Sequence, residues 1–324
     1  MKKIMITGAG SFIGTSFENY IKNNYPNQYE IKVMDTMSGE IVRGENFDKK
    51  EDDESDSSTR NKAGDLEKDS QTWNYENTDV VFHVAGIAHA DVGKVSEEGK
   101  ELYKKVNTDL AIETAKKAKA AGVKQFIFMS SAIVYGASGK IGESKVITKD
   151  TEPNPENFYG ESKLNAEKGL KELEEVNQFK VVILRPPMIY GPGCKGNYNS
   201  LRKFALKLPL FPKVSNERSM LYIDNLCEFI RLMIDNEESG TFHPANKELS
   251  NTSQMVRLIA EAHGKKIHLI GGFTWALKIM SHFTGLVNKA FGNLSYADIL
   301  SEYRDDYRVV SLEESIKATE NVAQ

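Results

Sequence analysis

Apolar and polar positions follow two rhythms through the first half of the chain. Short runs at Lys2–Ile6, Glu30–Met34, Val80–Val84, Gln125–Met129 and Lys180–Leu184 are mostly apolar rather than strictly alternating. Such runs read as strands covered on both faces. Between them, Phe12–Lys22, Lys100–Ala121 (ended by Gly122) and Phe158–Val176 carry apolar residues at helical spacing. Strand, helix, strand in this order predicts an α/β fold with a Rossmann-type doubly wound parallel sheet. After Pro192 the rhythm weakens. Leu221–Ile234 and Ser253–His263 read as helices around a loop at Thr241–Leu249. The pattern predicts a sheet domain over 1–186 and a smaller, mostly helical lobe over 187–324.

One segment breaks the rhythm. Asp48–Asp69 holds nine acidic and five basic residues, and its charge of −4 equals that of the whole chain. It has too little apolar surface to offset the entropy of ordering. A mobile acidic surface insertion over 48–63 is the expectation.

Composition narrows the function. The 324 residues are 40% hydrophobic and 27% charged, with net charge −4. No basic surplus exists to neutralise a nucleic-acid backbone. Cys194 and Cys227 are too few for a disulfide framework and lack zinc spacing, so free thiols and a cytoplasmic location are expected. The opening MKKIMITGAG has a signal peptide's lysines, but its apolar run stops at Gly8 without a cleavage site. Ile267–Phe291 is the most apolar late stretch. Lys278, His282 and Lys289 make it too polar to span a bilayer. A helix packed on the core is the preferred reading there, with a helix lying on a surface as the alternative. The expected partners include neither nucleic acid nor membrane.

Chemistry enters at the first turn. Gly8, Gly10, Ser11, Phe12, Ile13 and Gly14 join the first strand to the first helix. Glycines there let backbone N–H groups approach a pyrophosphate at a helix N-terminus. The spacing is G-x-G-x-x-x-G, so the last glycine falls one position later than in the shorter dinucleotide fingerprint. Asp35 closes the second strand, where a carboxylate accepts both ribose hydroxyls and repels the extra phosphate of NADP. NAD is therefore expected over NADP, with Arg43 nearby to soften the exclusion.

Tyr159 and Lys163 stand four apart at the start of a predicted helix, on one face. An ammonium beside a phenol lowers the phenol's pKa and suits it to general base work. Ser131 follows a strand and is placed to hydrogen-bond the same reacting oxygen. No metal-ligating cluster is evident.

Taken together, TGAGSFIG (7–14), Asp35, HVAG (83–86), SSAIVYG (130–136), YGESK (159–163) and RPPMIYGPG (185–193) resemble the extended short-chain dehydrogenase/reductases of the nucleotide-sugar epimerase/dehydratase group. The resemblance runs from residue 1 to about 235 and more loosely to about 316. It implies that Ser131, Tyr159 and Lys163 are the catalytic triad, with Lys163 also on the nicotinamide ribose. It implies that Gly8, Ser11, Phe12, Ile13 and Gly14 hold the pyrophosphate, with Ser11 where glycine is usual. Val84, Ala85 and Gly86 match the strand end beside the adenosine half, Asn107 a brace of the central strands, and Arg185-Pro186 the segment beside the nicotinamide. Asp65-Leu66 match the pair placed against adenine, with Asn46-Phe47 as competitor. Asn197 and Arg218 resemble residues that bind a nucleoside diphosphate, and His89 one that reaches toward the sugar. Relatives often form homodimers through helices like 101–121 and 158–176.

Dehydratases of this group commonly carry Asp-Glu after the triad's hydroxyl residue. Ala132 and Ile133 stand there and cannot move protons. The resemblance then implies a 4-epimerase of a UDP-hexose or UDP-N-acetylhexosamine that recycles NAD. The alternative is an NAD(P)H-dependent 4-reductase of a UDP-4-keto-6-deoxy-hexosamine. A non-catalytic nucleotide sensor is the remote third, since sensors usually lose the tyrosine or lysine.

Overall fold

The computed structural model describes residues 1–8, 10–34, 73–87, 97–283 and 285–321, apart from the side chains of 274, 282, 283, 285, 286 and 289. Asp35, Arg43, Asn46, Phe47, Asp65, Leu66, His89 and the whole 48–63 insertion lie outside the described residues.

In chain order, the first half runs β1 (Lys2–Thr7), α1 (Phe12–Asn24), β2 (Tyr29–Met34), β3 (Val80–His83), α2 (Glu97–Tyr103), α3 (Leu110–Ala120), β4 (Gln125–Met129), β5 (Val146–Ile147), α4 (Phe158–Lys171) and β6 (Lys180–Leu184). The second half runs β7 (Met188–Tyr190), α5 (Asn197–Lys207), β8 (Leu210–Pro212), β9 (Met220–Tyr222), α6 (Ile223–Asp235), β10 (Gly240–Phe242), α7 (Thr252–Ala262), β11 (His268–Ile270), α8 (Thr274–Phe283), α9 (Gly285–Phe291), β12 (Ser295–Tyr296), α10 (Asp298–Ser301) and α11 (Leu312–Thr319).

The central sheet has strand order β10-β6-β4-β3-β1-β2, and the β2–β1–β3–β4–β6 pairs are parallel. Every residue of β3 and β4 is buried, as the unbroken apolar runs predict. On one face Met5, Val81, Phe126, Phe128, Val181 and Ile183 pack with Ala111, Ala115 and Ala118 of α3 and Ala166 and Leu170 of α4. The alanine stripe recurs at helical spacing and lets α3 approach the sheet closely. Phe17 of α1 meets Phe82 edge-on at 5.2 Å. Each fully buried aromatic or branched side chain contributes about 1.5–3 kcal/mol to folding.

The expected single helix over 100–121 is a composite. Lys104–Asp109 forms a π-helical stretch between α2 and α3. Wider turns of this kind gather at functional sites, because the extra residue redirects side chains. Here it turns Val106, Asn107 and Thr108 inward.

The chain divides into two compact units. The first holds residues 1–134, 157–184 and 233–241; the second holds 135–156, 185–232 and 242–324. The expected single boundary after 186 is thus replaced by an interleaved division. Besides helices, the second unit contains the two-stranded pairs β11-β8, β12-β5 and β7-β9. Their strands are two or three residues long, too short to show a period of two. A connected polar network ties this unit. Glu320 accepts from Tyr198 Oη at 2.9 Å and Arg202 Nε at 2.6 Å, and His263 Nε2 lies 2.6 Å away. Asn246 bridges Tyr190, the Tyr222 amide and Asn225.

Both cysteines are free and buried. No helix among the described residues is long and apolar enough to cross a membrane.

Candidate active site

The strand order reverses direction between β1 and β3, and ligands of open α/β sheets bind at that switch point. Gly8 sits at the C-terminal end of β1 with φ +81°. A Cβ there would lie 2.7 Å from the Ala85 amide nitrogen and 3.1 Å from the Val84 carbonyl carbon. Only glycine permits this approach of β1 to the end of β3, so Gly8, Val84 and Ala85 form one narrow backbone crevice.

Beside it α1 begins. Ser11 is its N-cap, with Oγ accepting from the Gly14 amide at 3.1 Å. This explains serine where the resemblance leads one to expect glycine, because the hydroxyl satisfies one of the first turn's orphan donors. The amides of Phe12 and Ile13 open the first turn beside it, and the turn at Gly10 is exposed. A helix N-terminus facing a crevice without side chains fits a pyrophosphate.

Gly86 closes the crevice toward the next cluster. A Cβ there would meet Asn107 Oδ1 at 2.9 Å and Lys163 Nζ at 3.3 Å. Asn107 accepts from the Ile87 amide at 2.8 Å and donates to the Ile87 carbonyl and to Ser162 Oγ, both at 3.1 Å. It therefore pins the end of β3 to α4, as the resemblance implies.

Asn157 caps α4 by accepting from the Gly160 amide at 2.8 Å. Tyr159 and Lys163 follow within the first two turns. The Ser131 side chain lies beside the Tyr159 hydroxyl, and the Tyr159 ring meets Tyr103 edge-on at 6.5 Å. Lys163 Nζ donates to the Met129 carbonyl at the end of β4 at 2.8 Å and lies 4.7 Å from the Phe128 ring centroid. The structure thus brings together the three residues that the sequence singles out.

The electrostatics differ from the expectation. Burial pushes the Tyr159 phenol up to about 12, outweighing the lowering by Ser131, and Tyr103 adds to the rise. The spacing to Lys163 alone suggests the opposite direction. Burial also brings the Lys163 amine down to about 8 while Glu167 opposes the fall, and its Nζ donates to the Met129 carbonyl. Nearby, His83 is held neutral, with its pKa lowered to about 3 by burial and then by Lys163. Its Nδ1 pairs with Thr7 Oγ1 at 2.8 Å, and its ring stacks on Phe126 and Phe128.

Ser130 and Glu167 are the site residues that sequence reading missed. Ser130 Oγ donates to Glu167 Oε1 at 2.5 Å, and the Ser130 amide donates to the Leu184 carbonyl at 2.8 Å. Both side chains are buried. The residue before Ser131 is thereby locked between β6 and α4. The available signal was spacing: Tyr159, Lys163 and Glu167 recur every four residues along one face of α4.

A bare helix N-terminus beside a backbone crevice suits a pyrophosphate, and the tyrosine and lysine on one face of α4 suit proton transfer. The comparisons agree. The model of the NAD dependent epimerase/dehydratase family matches residues 4–246. The chain belongs to this family. It is therefore an NAD-dependent enzyme of short-chain dehydrogenase/reductase type, and its relatives are epimerases and dehydratases. A UDP-glucose 4-epimerase of Vibrio cholerae is 36% identical over 231 residues, covering 70% of this chain and 67% of that protein. The N-acetyl-alpha-D-glucosaminyl-diphospho-ditrans,octacis-undecaprenol 4-epimerase of Escherichia coli O157:H7 is 31% identical, covering 64% and 63%. The matched segment spans about two thirds of the length of these curated relatives. Among solved structures, UDP-glucuronic acid 4-epimerase from Bacillus cereus in complex with NAD superposes with TM-score 0.69 at 19% identity, over 98% of this chain and 97% of that one. A dTDP-4-dehydrorhamnose reductase from Clostridium acetobutylicum also reaches 0.69, at 18% identity, over 99% of each chain. At such identities the likeness establishes the fold.

The remaining family positions lie in the second unit. Pro186 is buried just after β6. Asn197 opens α5 and is exposed. Arg218 is half-buried and donates from Nη1 to the Ala290 carbonyl at 3.3 Å, and burial lowers its pKa.

Proposed function

We propose that this enzyme is a nucleotide-sugar 4-epimerase that acts on a UDP-hexose or UDP-N-acetylhexosamine by transient oxidation at C4. The observation that carries the reading is that Ser131, at the end of β4, stands beside the buried Tyr159 hydroxyl, with Lys163 one turn along α4 and its Nζ on the Met129 carbonyl. The 36% identity to a 4-epimerase supports it. NAD, when bound, would supply the hydride acceptor and donor. Tyr159 Oη takes the proton of the sugar 4-hydroxyl and later returns it. Ser131 hydrogen-bonds the same oxygen and orients it. Lys163, one turn along α4, is the cation available to favour the phenolate of a phenol that burial holds near 12. Gly8, Gly10, Ser11, Phe12, Ile13 and Gly14 hold the pyrophosphate. Val84, Ala85 and Gly86 line the adenosine side and Pro186 the nicotinamide side. Asp35 holds the adenosine ribose, and Asp65-Leu66 lie on adenine. Asn197 and Arg218 bind the substrate diphosphate, for which a guanidinium fork is suited, and His89 reaches the sugar.

The test is incubation with UDP-glucose and UDP-N-acetylglucosamine in separate reactions, followed by NMR of the sugar. The polyprenyl diphosphate sugar named for the second relative is run as a third arm. A 4-epimer without net cofactor consumption is the expected result. One NADH or NADPH oxidised per molecule of 4-keto sugar, with no epimer formed, replaces this reading by the 4-reductase.

A further inference from the structure

The stretch that sequence reading preferred as a packed helix presents an apolar face to solvent. In α8 and the residue before it, Phe273 is 49% exposed, Trp275 66%, Ile279 52% and Met280 51%. Trp275 and Ile279 are one turn apart and share a face, while Leu277 on the opposite side is buried. Single exposed apolar residues are ordinary on a protein surface. Four of the thirteen large ones found among the described residues fall within eight positions here.

The charge around this face is equally one-sided. From 262 to 297 the sequence has no Asp or Glu, yet it carries Lys265, Lys266, Lys278 and Lys289 and three histidines, in a chain of net charge −4. Lys265, Lys266, His268 and Lys278 are exposed. An apolar face with a tryptophan, bordered by cations and free of acids, has the composition of a helix that lies in a lipid headgroup layer. A ten-residue helix is too short to span a bilayer, so the contact is with the surface. A second copy of the chain fits less well. A two-fold contact sets each patch against itself, which brings the lysines of a segment without acids toward one another.

We propose that the Phe273–Met280 face docks the enzyme on a lipid surface rich in anionic headgroups. Its apolar side chains enter the acyl boundary, and the surrounding lysines meet the phosphates. This goes beyond the proposed reaction and does not depend on it. It also revises the expectation that no membrane is involved.

The test is co-sedimentation of the full chain with phosphatidylglycerol/phosphatidylcholine vesicles and with phosphatidylcholine vesicles, at low and high salt. Binding is expected on the anionic vesicles and is expected to weaken with salt. Bromine-labelled lipids should quench the Trp275 emission, whereas Trp73 is buried and should be unaffected. The double substitution Trp275→Ser, Ile279→Ser should weaken vesicle binding at least tenfold and leave NADH affinity unchanged. Absence of binding by the unmodified protein overturns the proposal, as does undiminished binding of the double variant. A dimer in sedimentation velocity, lost in Trp275→Ser without any vesicle binding, assigns the face to a second copy and overturns it too.

Discussion

The two units bury polar side chains to opposite effect. In the first, the buried groups sit where the sheet strands end. Lys163 has a carbonyl and an aromatic ring as neighbours, Glu167 is held by one serine hydroxyl, and His83 is kept neutral. In the second, buried polar groups close into networks, as Glu320 does with Tyr198, Arg202 and His263. The surfaces differ as well. Of the large apolar side chains exposed among the described residues, two belong to the first unit and eleven to the second. The first unit therefore gathers desolvated ionisable groups at its strand ends. The second pairs its buried ionisable groups in networks and carries most of the exposed large apolar residues. A substitution at a buried polar group should cost turnover in the first unit and stability in the second.

The sharpest break of that comparison is Tyr159→Phe. Loss of the phenolic proton should lower kcat by at least ~10²-fold, the usual scale for general acid–base help. NADH affinity and the unfolding midpoint should hold. A steady-state assay paired with a fluorescence titration checks both, and unchanged turnover would remove Tyr159 from the mechanism.

Glu320→Ala is the counterpart in the second unit. It leaves the buried Tyr198 hydroxyl without its acceptor and removes the partner of the part-exposed Arg202 and His263, which should cost about 1–3 kcal/mol of unfolding free energy. Turnover per folded molecule should stay within twofold. Urea unfolding and active-site titration separate the two quantities. A kinetic loss with intact stability would reverse the comparison.

Acid should weaken both units through their buried histidines. Burial is the main cause that lowers His83 to about 3 and His243 to about 4 in the folded protein, from the ordinary histidine value of about 6.5. The unfolded chain thus takes up protons first as pH falls. The stability is complete above about 6.5 and is lost through the window down to 4 and then 3. Each histidine adds about 1.4 kcal/mol per pH unit to the slope. His83→Gln and His243→Gln should each flatten the slope by one proton in urea melts across that window. Identical slopes in all three proteins would contradict the assignment.

How much of this was legible follows element by element. The strands β1, β3 and β4 were readable because both faces are buried, and the Gly8 turn because only glycine fits against Ala85. Asp35 and Asp65-Leu66 lie outside the described residues and remain sequence assignments, and the acidic stretch after Asp48 erases the periodicity that would choose between Asp65-Leu66 and Asn46-Phe47. The short strands of the second unit left no alternation to read. Glu167 was hidden for another reason. A glutamate four residues after a lysine reads as a solvated helix pair, and only the fold reveals that it is buried against Ser130.

The smallest expected effect is also local. Glu167→Gln keeps an acceptor for Ser130 but removes the negative charge that supports the Lys163 ammonium. The Lys163 pKa should then fall below its present value of about 8. The alkaline limb of the pH–rate profile should move to lower pH, with kcat near neutrality little changed. An unmoved limb would detach Glu167 from Lys163.

The central claim is oxidation and return of hydride at one carbon, and isotope retention tests it most directly. The enzyme with stoichiometric NAD is given a UDP-sugar deuterated at C4, and the products are followed by NMR and mass spectrometry. The account predicts a 4-epimer that keeps the deuterium at C4, with no net NADH formed and no exchange with solvent. Loss of the C4 deuterium to solvent or to free NADH, or an accumulating 4-keto product, would contradict it.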